Sequence, residues 1–158
     1  VCVVAPSVEP TVRALAATWP FPHTLSVGEG EKANAFASMD VAIACSGTVT
    51  TELAAQGAAM VVGYRLGWVT WGLARLFLWK SPYMSLVNVA AGREVAPEFL
   101  QTRFSADHIV PVVGRLLSDP ATFATQKQAQ AAAIAKMAGT GKPASVIAAE
   151  TIVALTGG

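Results

Sequence analysis

Short apolar runs alternate with segments of helical periodicity along the first two thirds of this chain. The runs predict four strands, at 1–5, 23–27, 41–44 and 59–64, and a short strand or extended segment at 83–87. The strand candidates are apolar at consecutive positions, as is typical of strands that are buried on both faces. The pattern therefore predicts an α/β fold, a parallel sheet with helices on both faces.

Helical periodicity fills the segments between these runs and continues to the end of the chain. Helices are predicted at 9–19, 31–38, 48–56, 69–80, 105–118, 120–138 and 144–155. Because the last third is purely helical, we predict an α/β domain over 1–118. A helical C-terminal extension over 119–158 is expected to pack on the same domain.

Length, composition and charge limit the classes of protein to which this chain can belong. The 158 residues are enough for one domain with a full core, and 53% of them are hydrophobic. A net charge of +1 without a dense basic tract argues against a nucleic-acid partner. No apolar run reaches the ~18–20 residues of a spanning helix, and no signal peptide is visible. Since Val1 is not a start methionine, we expect a fragment of a longer protein.

Cysteines and acidic residues do not form a pattern that binds metal. Cys2 and Cys45 lie at strand positions, which is typical of reduced core cysteines in a cytoplasmic protein. The acidic residues of the first third are spread out without the spacing of a metal site. The sequence predicts no metal and no cofactor.

A turn of small polar residues follows the third strand candidate. It is Ser46-Gly47-Thr48, and Glu52 lies one turn into the next helix. Unpaired N–H groups at a helix N-terminus bind phosphate, and at this place in an open sheet an acid often binds ribose. Ser and Thr are also ordinary N-caps, and Glu is favoured near any helix start. The spacing alone leaves both interpretations open.

A second polar segment follows the extended segment at 83–87. Asn88 stands at its end, and Arg93 and Glu94 follow a turn of small residues. In an open sheet this segment would lie at a carboxyl end, near the Ser46 turn. We predict a second loop that faces the ligand, with an ordinary surface loop as the alternative.

The residue patterns give little support for a nucleophilic serine or for a phosphate loop near the C-terminus. Ser46 lacks the flanking glycines of a nucleophile elbow, and nothing in the sequence places His23 or His108 beside it. The Gly-Thr-Gly-Lys run at 139–142 follows no strand and ends in proline, so it is a helix break rather than a phosphate loop.

The segment 66–80 is apolar on nearly all sides and holds three of the four tryptophans. One interpretation is a helix buried in the core or under a neighbouring domain. The other is an interfacial helix whose residues Trp68, Trp71, Phe77 and Trp79 contact a membrane or acyl chains. Both interpretations remain open, because both need a helix that is apolar on most sides.

Several of these motifs occur together in one known family. They are Ser46-Gly47-Thr48 with Glu52, Met-Val-Val-Gly-Tyr-Arg at 60–65, Tyr-Met-Ser-Leu-Val-Asn at 83–88 and Ala-Gly-Arg-Glu at 91–94. Their order and spacing resemble those of lipid-A-disaccharide synthases over about residues 1–118. The resemblance implies one half of a GT-B fold, which is Rossmann-like.

The resemblance also implies a reaction and a location. Enzymes of this family are inverting glycosyltransferases of lipid A biosynthesis in Gram-negative bacteria. They join UDP-2,3-diacylglucosamine to 2,3-diacylglucosamine 1-phosphate and release UDP. They work as peripheral proteins on the cytoplasmic face of the inner membrane.

Carried over by position, the resemblance gives roles to residues of this chain. Ser46, Gly47 and Thr48 would hold the diphosphate of the UDP-sugar, and Glu52 would hold the ribose. The donor pocket would be completed by Asn88, with Arg93 and Glu94 close by. The Trp-rich helix would contact the membrane or the acyl chains.

No catalytic residue is predicted in this chain, because the general base is expected in a missing N-terminal half. That half would also bind the lipid acceptor, so the isolated chain should not catalyse. A homodimer would be compatible with the apolar tail. The alternatives are another GT-B enzyme that uses UDP-GlcNAc, or a non-catalytic module that binds a membrane or a protein.

Overall fold

The computed structural model describes residues 1–45, 47–73, 81–139, 141 and 144–156. Within these residues all strand pairs are parallel. The strands are β1 (Cys2–Val4), β2 (Leu25–Val27), β3 (Val41–Cys45), β4 (Ala59–Tyr64) and β5 (Glu98–Leu100). The first four strands lie where the apolar runs predict them.

Helices occupy the connections between strands and most of the described C-terminal part. They are α1 (Glu9–Ala16), α2 (Glu29–Ala37), α3 (Thr48–Ala55), α4 (Trp68–Leu73), α5 (Leu86–Ala91), α6 (Ala106–Ser118), α7 (Pro120–Ala138) and α8 (Ala144–Thr156). The helix predicted at 69–80 is described only in its first part. Its remainder, with Phe77 and Trp79, lies outside the described residues.

The described strands form two small sheets rather than one. β1 pairs with β2, and β4 lies between β3 and β5 in the larger sheet. Val41 to Cys45 pair in register with Ala59 to Gly63, so the carboxyl ends of β3 and β4 lie side by side. Val62 pairs with Glu98, which places the end of β5 at the same edge.

β4 is buried on both faces, and its alternate side chains enter two different cores. Met60 and Val62 pack with residues of α3, α5 and α7. Ala59 and Val61 pack with Phe99 and with α6. We call these two sides of the sheet the α7 face and the α6 face. The predicted parallel α/β architecture with helices on both faces is confirmed.

Two buried glutamines attach α7 to the loop and strand below it. Gln130 donates from Nε2 to the carbonyl oxygen of Ala58 at 2.8 Å, and Gln126 donates to the carbonyl oxygen of Met60. Gln126 also donates to Oε1 of Gln130 at 3.0 Å. These bonds satisfy polar groups that would otherwise be buried without partners, and they fix α7 along the sheet.

The short strand or extended segment predicted at 83–87 is wrong in its last two residues, because α5 begins at Leu86. Ser85 caps α5 by accepting a hydrogen bond from the backbone N–H of Asn88, and Gly92 ends the helix in the left-handed conformation at φ 71°. These two caps outweigh the β preference of the valines between them. The strand of this region is β5 instead, whose charged and aromatic residues gave no apolar run.

The C-terminal extension contains two helices with different surroundings. α7 contributes Ala133 to the core of the α7 face. α8 has exposed apolar side chains, among them Ile152, Val153 and Leu155. None of the described helices is long and apolar enough to cross a membrane. The division at residue 118 stays a prediction.

Gly63 provides a test of the packing between β4 and the α6 face. A Cβ atom at this position would lie 2.1 Å from Cε2 of Phe104. Gly63→Ala should therefore lower the free energy of unfolding by about 1–3 kcal/mol, measured by urea denaturation. The control is Gly114→Ala in α6, where no heavy atom lies within 4 Å of the new Cβ. That variant should be more stable by ~0.5–1 kcal/mol. An unchanged free energy for Gly63→Ala would contradict the close packing of Phe104.

Candidate functional site

The turn between β3 and α3 is built around Gly47. Its φ of 130° and ψ of −160° are accessible to glycine and strained for other residues. The carbonyl oxygen of Gly47 accepts hydrogen bonds from the backbone N–H of Thr50 at 3.2 Å and from its Oγ1 at 2.7 Å. Thr48 begins α3 and is exposed, so the start of the helix faces solvent at the carboxyl edge of the sheet. Ser46 lies outside the described residues.

Glu52 lies one turn into α3 and is held by a lysine from α2. Its Oε2 lies 2.8 Å from Nζ of Lys32, and Nζ also lies 3.3 Å from Oε2 of Glu29. The side chain of Lys32 is only 19% exposed, whereas that of Glu52 is 40% exposed. The lysine therefore fixes the carboxylate from the protein side and leaves part of it open to solvent.

The electrostatics of this pair favour the charged form of Lys32. The hydrogen bond to Glu52 raises the pKa of Lys32 above 10.5, with a smaller contribution from Glu29. Nζ of Lys32 also lies 5.6 Å from the ring centroid of Phe36, where a cation is attracted by the ring face. Lys32 is therefore a cationic partner that holds the Glu52 side chain in place.

Asn88 lies at the centre of a buried network rather than at an open surface. Its Nδ2 donates to the carbonyl oxygen of Ala96 at 2.7 Å and to Oε1 of Glu98 at 2.8 Å. Its Oδ1 accepts from the backbone N–H groups of Val95 and Ala96 at 2.7 and 2.8 Å. An amide has two N–H donors and two acceptor lone pairs, so these four bonds use all of its capacity.

The buried carboxylate of Glu98 organises the other end of this network. The backbone N–H groups of Met84 and Ser85 donate to its two oxygens, each at 2.8 Å. Together with Asn88, they supply three donors to a side chain that is 8% exposed. The segment before α5 is thereby bound to β5, which fixes the first turn of α5 against the sheet.

Glu94 and the two described tryptophans of the Trp-rich segment share one cavity. Its volume is about 430 Å³, and its wall includes Trp68, Trp71, Tyr83, Glu94, Gln101 and Arg103. Oε1 of Glu94 accepts a hydrogen bond from the backbone N–H of Glu98 at 3.0 Å. Arg93 is exposed beside it. The cavity therefore combines aromatic surface with groups of both charges.

Gln101 connects the ends of β4 and β5 at this cavity. Its side chain accepts a hydrogen bond from the backbone N–H of Leu66 at 2.6 Å and donates to the carbonyl oxygen of Leu66 at 3.1 Å. Gln101 is buried and has a positive φ of 52°, which is uncommon for a residue other than glycine. These two bonds fix the approach of the chain to Trp68.

The described site residues fall into two groups. Gly47, Thr48 and Glu52 belong to the β3–α3 connection, whereas Asn88 lies within α5, Arg93 follows that helix, and Glu94 lines the cavity. No hydrogen bond between described residues joins Asn88 to the first group. Among the described residues, no cluster of three His, Cys, Asp or Glu residues could hold a metal.

Sequence reasoning missed four residues that shape this region: Lys32, Glu98, Gln101 and Gln126. Lys32 stands in a segment of mixed charge, where a lysine gives no indication of its partner. Glu98 and Gln101 are polar residues in a short strand and its turn. The apolar residues beside Glu98 and Gln101 in the chain are the one local signal of their burial. Their hydrogen-bond partners are distant in sequence, so no local pattern identifies them.

The strands are parallel and have helices on both faces, and a glycine turn and an acid follow β3. These features define a Rossmann-like α/β domain. The profile of the lipid-A-disaccharide synthetase family matches residues 1–151, and the chain belongs to this family.

Curated relatives that match the chain are named lipid-A-disaccharide synthases. That of Gluconobacter oxydans is 39% identical over 148 residues, which are 93% of this chain and 35% of the relative. That of Bradyrhizobium diazoefficiens is 36% identical over 94% of this chain and 38% of the relative. That of Granulibacter bethesdensis is 35% identical over 96% of this chain and 42% of the relative. The chain therefore spans about two fifths or less of these three relatives.

Removing the Asn88 amide should destabilise the fold strongly. Asn88→Ala leaves Val95, Ala96 and Glu98 with unpaired buried groups, so the free energy of unfolding should fall by about 3 kcal/mol or more. Asn88→Asp should also destabilise, and more at neutral than at acidic pH, because it places a second carboxylate beside Glu98. The control is Asn34→Ala on the exposed side of α2, with a change within about 0.5 kcal/mol. Urea denaturation measures the free energy of unfolding of all three variants. Equal stabilities for Asn88→Ala and Asn34→Ala would contradict a structural role of the Asn88 amide.

The ion pair of Lys32 should give an alkaline pH dependence of stability. The folded-state pKa lies above 10.5, so the contribution is complete below that pH and is lost as pH rises further. The stability difference between the natural chain and Lys32→Met should be constant from neutral pH up to pH 10.5 and shrink above it. Lys136→Met, at an exposed position near the end of α7, is the control. A difference that is independent of pH across this range would contradict the pairing with Glu52.

Proposed function

We propose that this domain binds the UDP-sugar donor of an inverting glycosyltransferase that forms lipid A disaccharide. The observation that carries the proposal is the Gly47–Thr48 turn with Glu52, at the carboxyl end of β3 in a chain of the lipid-A-disaccharide synthetase family. In open α/β sheets, ligands bind outside the carboxyl ends of the strands. The proposal covers the donor, UDP-2,3-diacylglucosamine, and a lipid acceptor, 2,3-diacylglucosamine 1-phosphate.

The diphosphate is assigned to the start of α3. Its first N–H groups and partial positive charge favour an anion, and Gly47 and Thr48 bring backbone and hydroxyl donors to the same place. Ser46 belongs to this assignment from the sequence alone. Because these groups are held before the reaction, they would stabilise the negative charge that develops on the leaving UDP.

The ribose is assigned to Glu52. The salt bridge to Lys32 holds the partly exposed carboxylate in place, where it can accept hydrogen bonds from two hydroxyls. Glu29 competes for the same lysine but is much more exposed, so it acts as a weaker partner.

Asn88 is assigned an indirect part in the donor pocket. With its amide fully used, it positions the segment that presents Arg93 and Glu94 at the surface. Glu94 then borders the cavity that is also lined by Trp68 and Trp71, and Arg93 is its exposed neighbour in the chain. This arrangement suits a sugar ring with an acyl chain, since it offers polar and aromatic surface together.

Catalysis itself is assigned to another part of the protein. The described residues near the turn offer anion and hydroxyl binding, and the general base that deprotonates the acceptor is assigned to the N-terminal half. The isolated chain should therefore bind donor without turning it over. A homodimer stays a prediction.

Membrane docking is assigned to the Trp-rich segment. Trp68 is 68% exposed, and an exposed tryptophan is favoured at a membrane–water boundary. We propose peripheral attachment at the cytoplasmic face of the inner membrane of a Gram-negative bacterium. Phe77 and Trp79 belong to this proposal from the sequence alone.

The ribose assignment is tested by titrating UDP into the chain. Glu52→Gln should weaken UDP binding about 10- to 100-fold, because a hydrogen bond to a charged acceptor contributes ~1.5–3 kcal/mol. Isothermal titration at millimolar UDP measures the dissociation constants. 2′,3′-Dideoxy-UDP should bind the natural chain and Glu52→Gln with equal affinity.

Glu29→Gln is the matched control, because Glu29 shares Lys32 with Glu52 and yet lies outside the assigned ribose contact. Its UDP affinity should stay within about twofold of the natural chain. Folding of each variant is checked by circular dichroism. If a folded Glu52→Gln variant binds UDP as tightly as the natural chain, the ribose assignment is wrong. If the folded natural chain binds no UDP, donor binding by this domain is wrong.

Flotation with liposomes that contain anionic lipid tests the membrane assignment. Replacing Trp68 and Trp71 by Ser should lower the partition coefficient on the order of tenfold or more, given the apolar area of a tryptophan. Phe21→Ser is the control, because Phe21 is an exposed aromatic residue in the loop after α1. Equal flotation of the natural and tryptophan variants would contradict docking through this segment. Flotation without UDP binding would favour a non-catalytic membrane module.

A further inference from the structure

Gln101 continues the pairing between β4 and β5 past the point where the two strands end. The register of these strands runs from Val62–Glu98 to Tyr64–Leu100. Beyond it, the side-chain amide of Gln101 accepts a hydrogen bond from the backbone N–H of Leu66 at 2.6 Å and donates one to its carbonyl oxygen at 3.1 Å. A primary amide offers a donor and an acceptor as a peptide group does, so it serves Leu66 as a neighbouring strand would.

This pairing is held in an unfavourable backbone conformation. Gln101 has a φ of 52°, and among the described residues it is the one residue other than glycine with a positive φ. It is also buried, with 6% of its surface exposed. Left-handed backbone at such a residue is strained and persists only where the surroundings fix it, which is common at ligand sites. The strain therefore favours a functional role for the two bonds to Leu66.

The segment that the two bonds anchor leads directly into α4. Leu66 lies two residues before Trp68, where α4 begins. Arg65 adds a third hydrogen bond, from its guanidinium to the carbonyl oxygen of Phe104 at 3.4 Å. Because most of the stability of a helix in a protein comes from its tertiary contacts, the position of Trp68 depends on these anchors.

The cavity of about 430 Å³ is lined by residues from both of the segments that Gln101 joins. Trp68 and Trp71 come from α4, and Leu100 and Arg103 come from the end of β5 and the turn after it. Trp68 is 68% exposed although it lines the cavity, so its ring keeps apolar surface that a ligand can cover. Tryptophan is among the side chains that bury the most surface in a contact.

The same cavity offers surface for both parts of an amphiphilic ligand. Trp68, Trp71 and Leu100 provide apolar surface, and Glu94 and Arg103 provide charged groups. Ligand pockets are commonly apolar, with a few polar groups that fix the orientation of the ligand. An acylated sugar fits this combination, since its chains need apolar surface and its hydroxyls need polar partners.

We propose that Gln101 is a positioning residue for the acylated sugar of the donor. Its bonds to Leu66 hold Trp68 and Trp71 as a preformed wall on which an acyl chain packs. A wall that is ordered before binding does not lose further freedom in the complex, so the affinity for the acylated part depends on Gln101. The affinity for the nucleotide does not, because the nucleotide is assigned to the β3–α3 connection. This inference rests on the proposed donor function.

Two ligands separate the acylated part from the nucleotide: UDP, and UDP-2,3-dihexanoylglucosamine as a donor with short, soluble acyl chains. In isothermal titration the natural chain should bind the acylated donor at least about tenfold more tightly than UDP, since each buried methylene adds affinity. Gln101→Gly should reduce this gain to below about threefold and change the dissociation constant of UDP by less than about twofold. Glycine accepts the positive φ without strain, so the variant loses the hydrogen bonds and keeps the backbone conformation.

A second variant and a matched control accompany Gln101→Gly. In Gln101→Asn the residue also tolerates the left-handed conformation, but its shorter amide cannot reach both groups of Leu66, so the gain should fall here too. Gln56→Gly, at the exposed C-cap of α3, is the control. It should leave both dissociation constants unchanged within about twofold. Circular dichroism checks the folding of each variant.

The outcomes separate this inference from the donor function. If folded Gln101→Gly and Gln101→Asn keep the full gain from acylation, the inference is overturned while UDP binding stands, even if both variants float less well on anionic liposomes. An equal loss of affinity for UDP and for the acylated donor also overturns it, because the role of Gln101 is then only structural. If the natural chain binds UDP but gains nothing from acylation, the acyl assignment is wrong. If it binds neither ligand, the donor function fails as well.

Fluorine NMR of the chain labelled with fluorotryptophan reads the position of the wall directly. In Gln101→Gly the resonances of Trp68 and Trp71 should shift or broaden. The resonance of Trp19, which stacks on Phe21 in the loop after α1, should stay unchanged. Unchanged resonances of Trp68 and Trp71 would overturn the positioning role of Gln101, whatever the outcome of the titrations.

Discussion

The burial of β4 on both faces is the constraint on which the rest of the structure depends. Residues 59–62 are completely buried, and they alternate between the α6 face and the α7 face. A strand in this position must pair on both edges, because no water reaches its backbone. Its register with β3 and β5 brings the glycine turn and the Trp68 cavity to the same edge of the sheet.

Polar groups in the interior hold this arrangement in one register. Gln126 and Gln130 bind backbone carbonyls near the start of β4, and the Asn88–Glu98 pair binds α5 to β5. A buried polar side chain is costly without its partners, so each of these networks disfavours alternative packings of the same helices. The candidate site residues Glu52 and Glu94 are thereby carried on elements that cannot shift independently.

The two halves of the candidate site differ in how far the sequence could predict them. The strand, turn and helix around Gly47 follow from local signals: an apolar run, a glycine and a helical period. The segment around Asn88 does not, because its caps and its distant partner Glu98 decide its conformation. An asparagine that resembles a ligand contact in sequence is here a fully bonded core residue.

By itself, the sequence determined the parallel α/β class, the places of four strands, the glycine turn and the family resemblance, because each depends on residues close together in the chain. Tertiary structure alone decided that residues 86–91 are helical, that Lys32 holds Glu52, and that β1 and β3 face an open groove. These features depend on contacts between residues far apart in sequence, and no local pattern encodes which strand edges will meet. For the same reason, local sequence signals predict the Gly47 turn but do not predict the residues that pack around it.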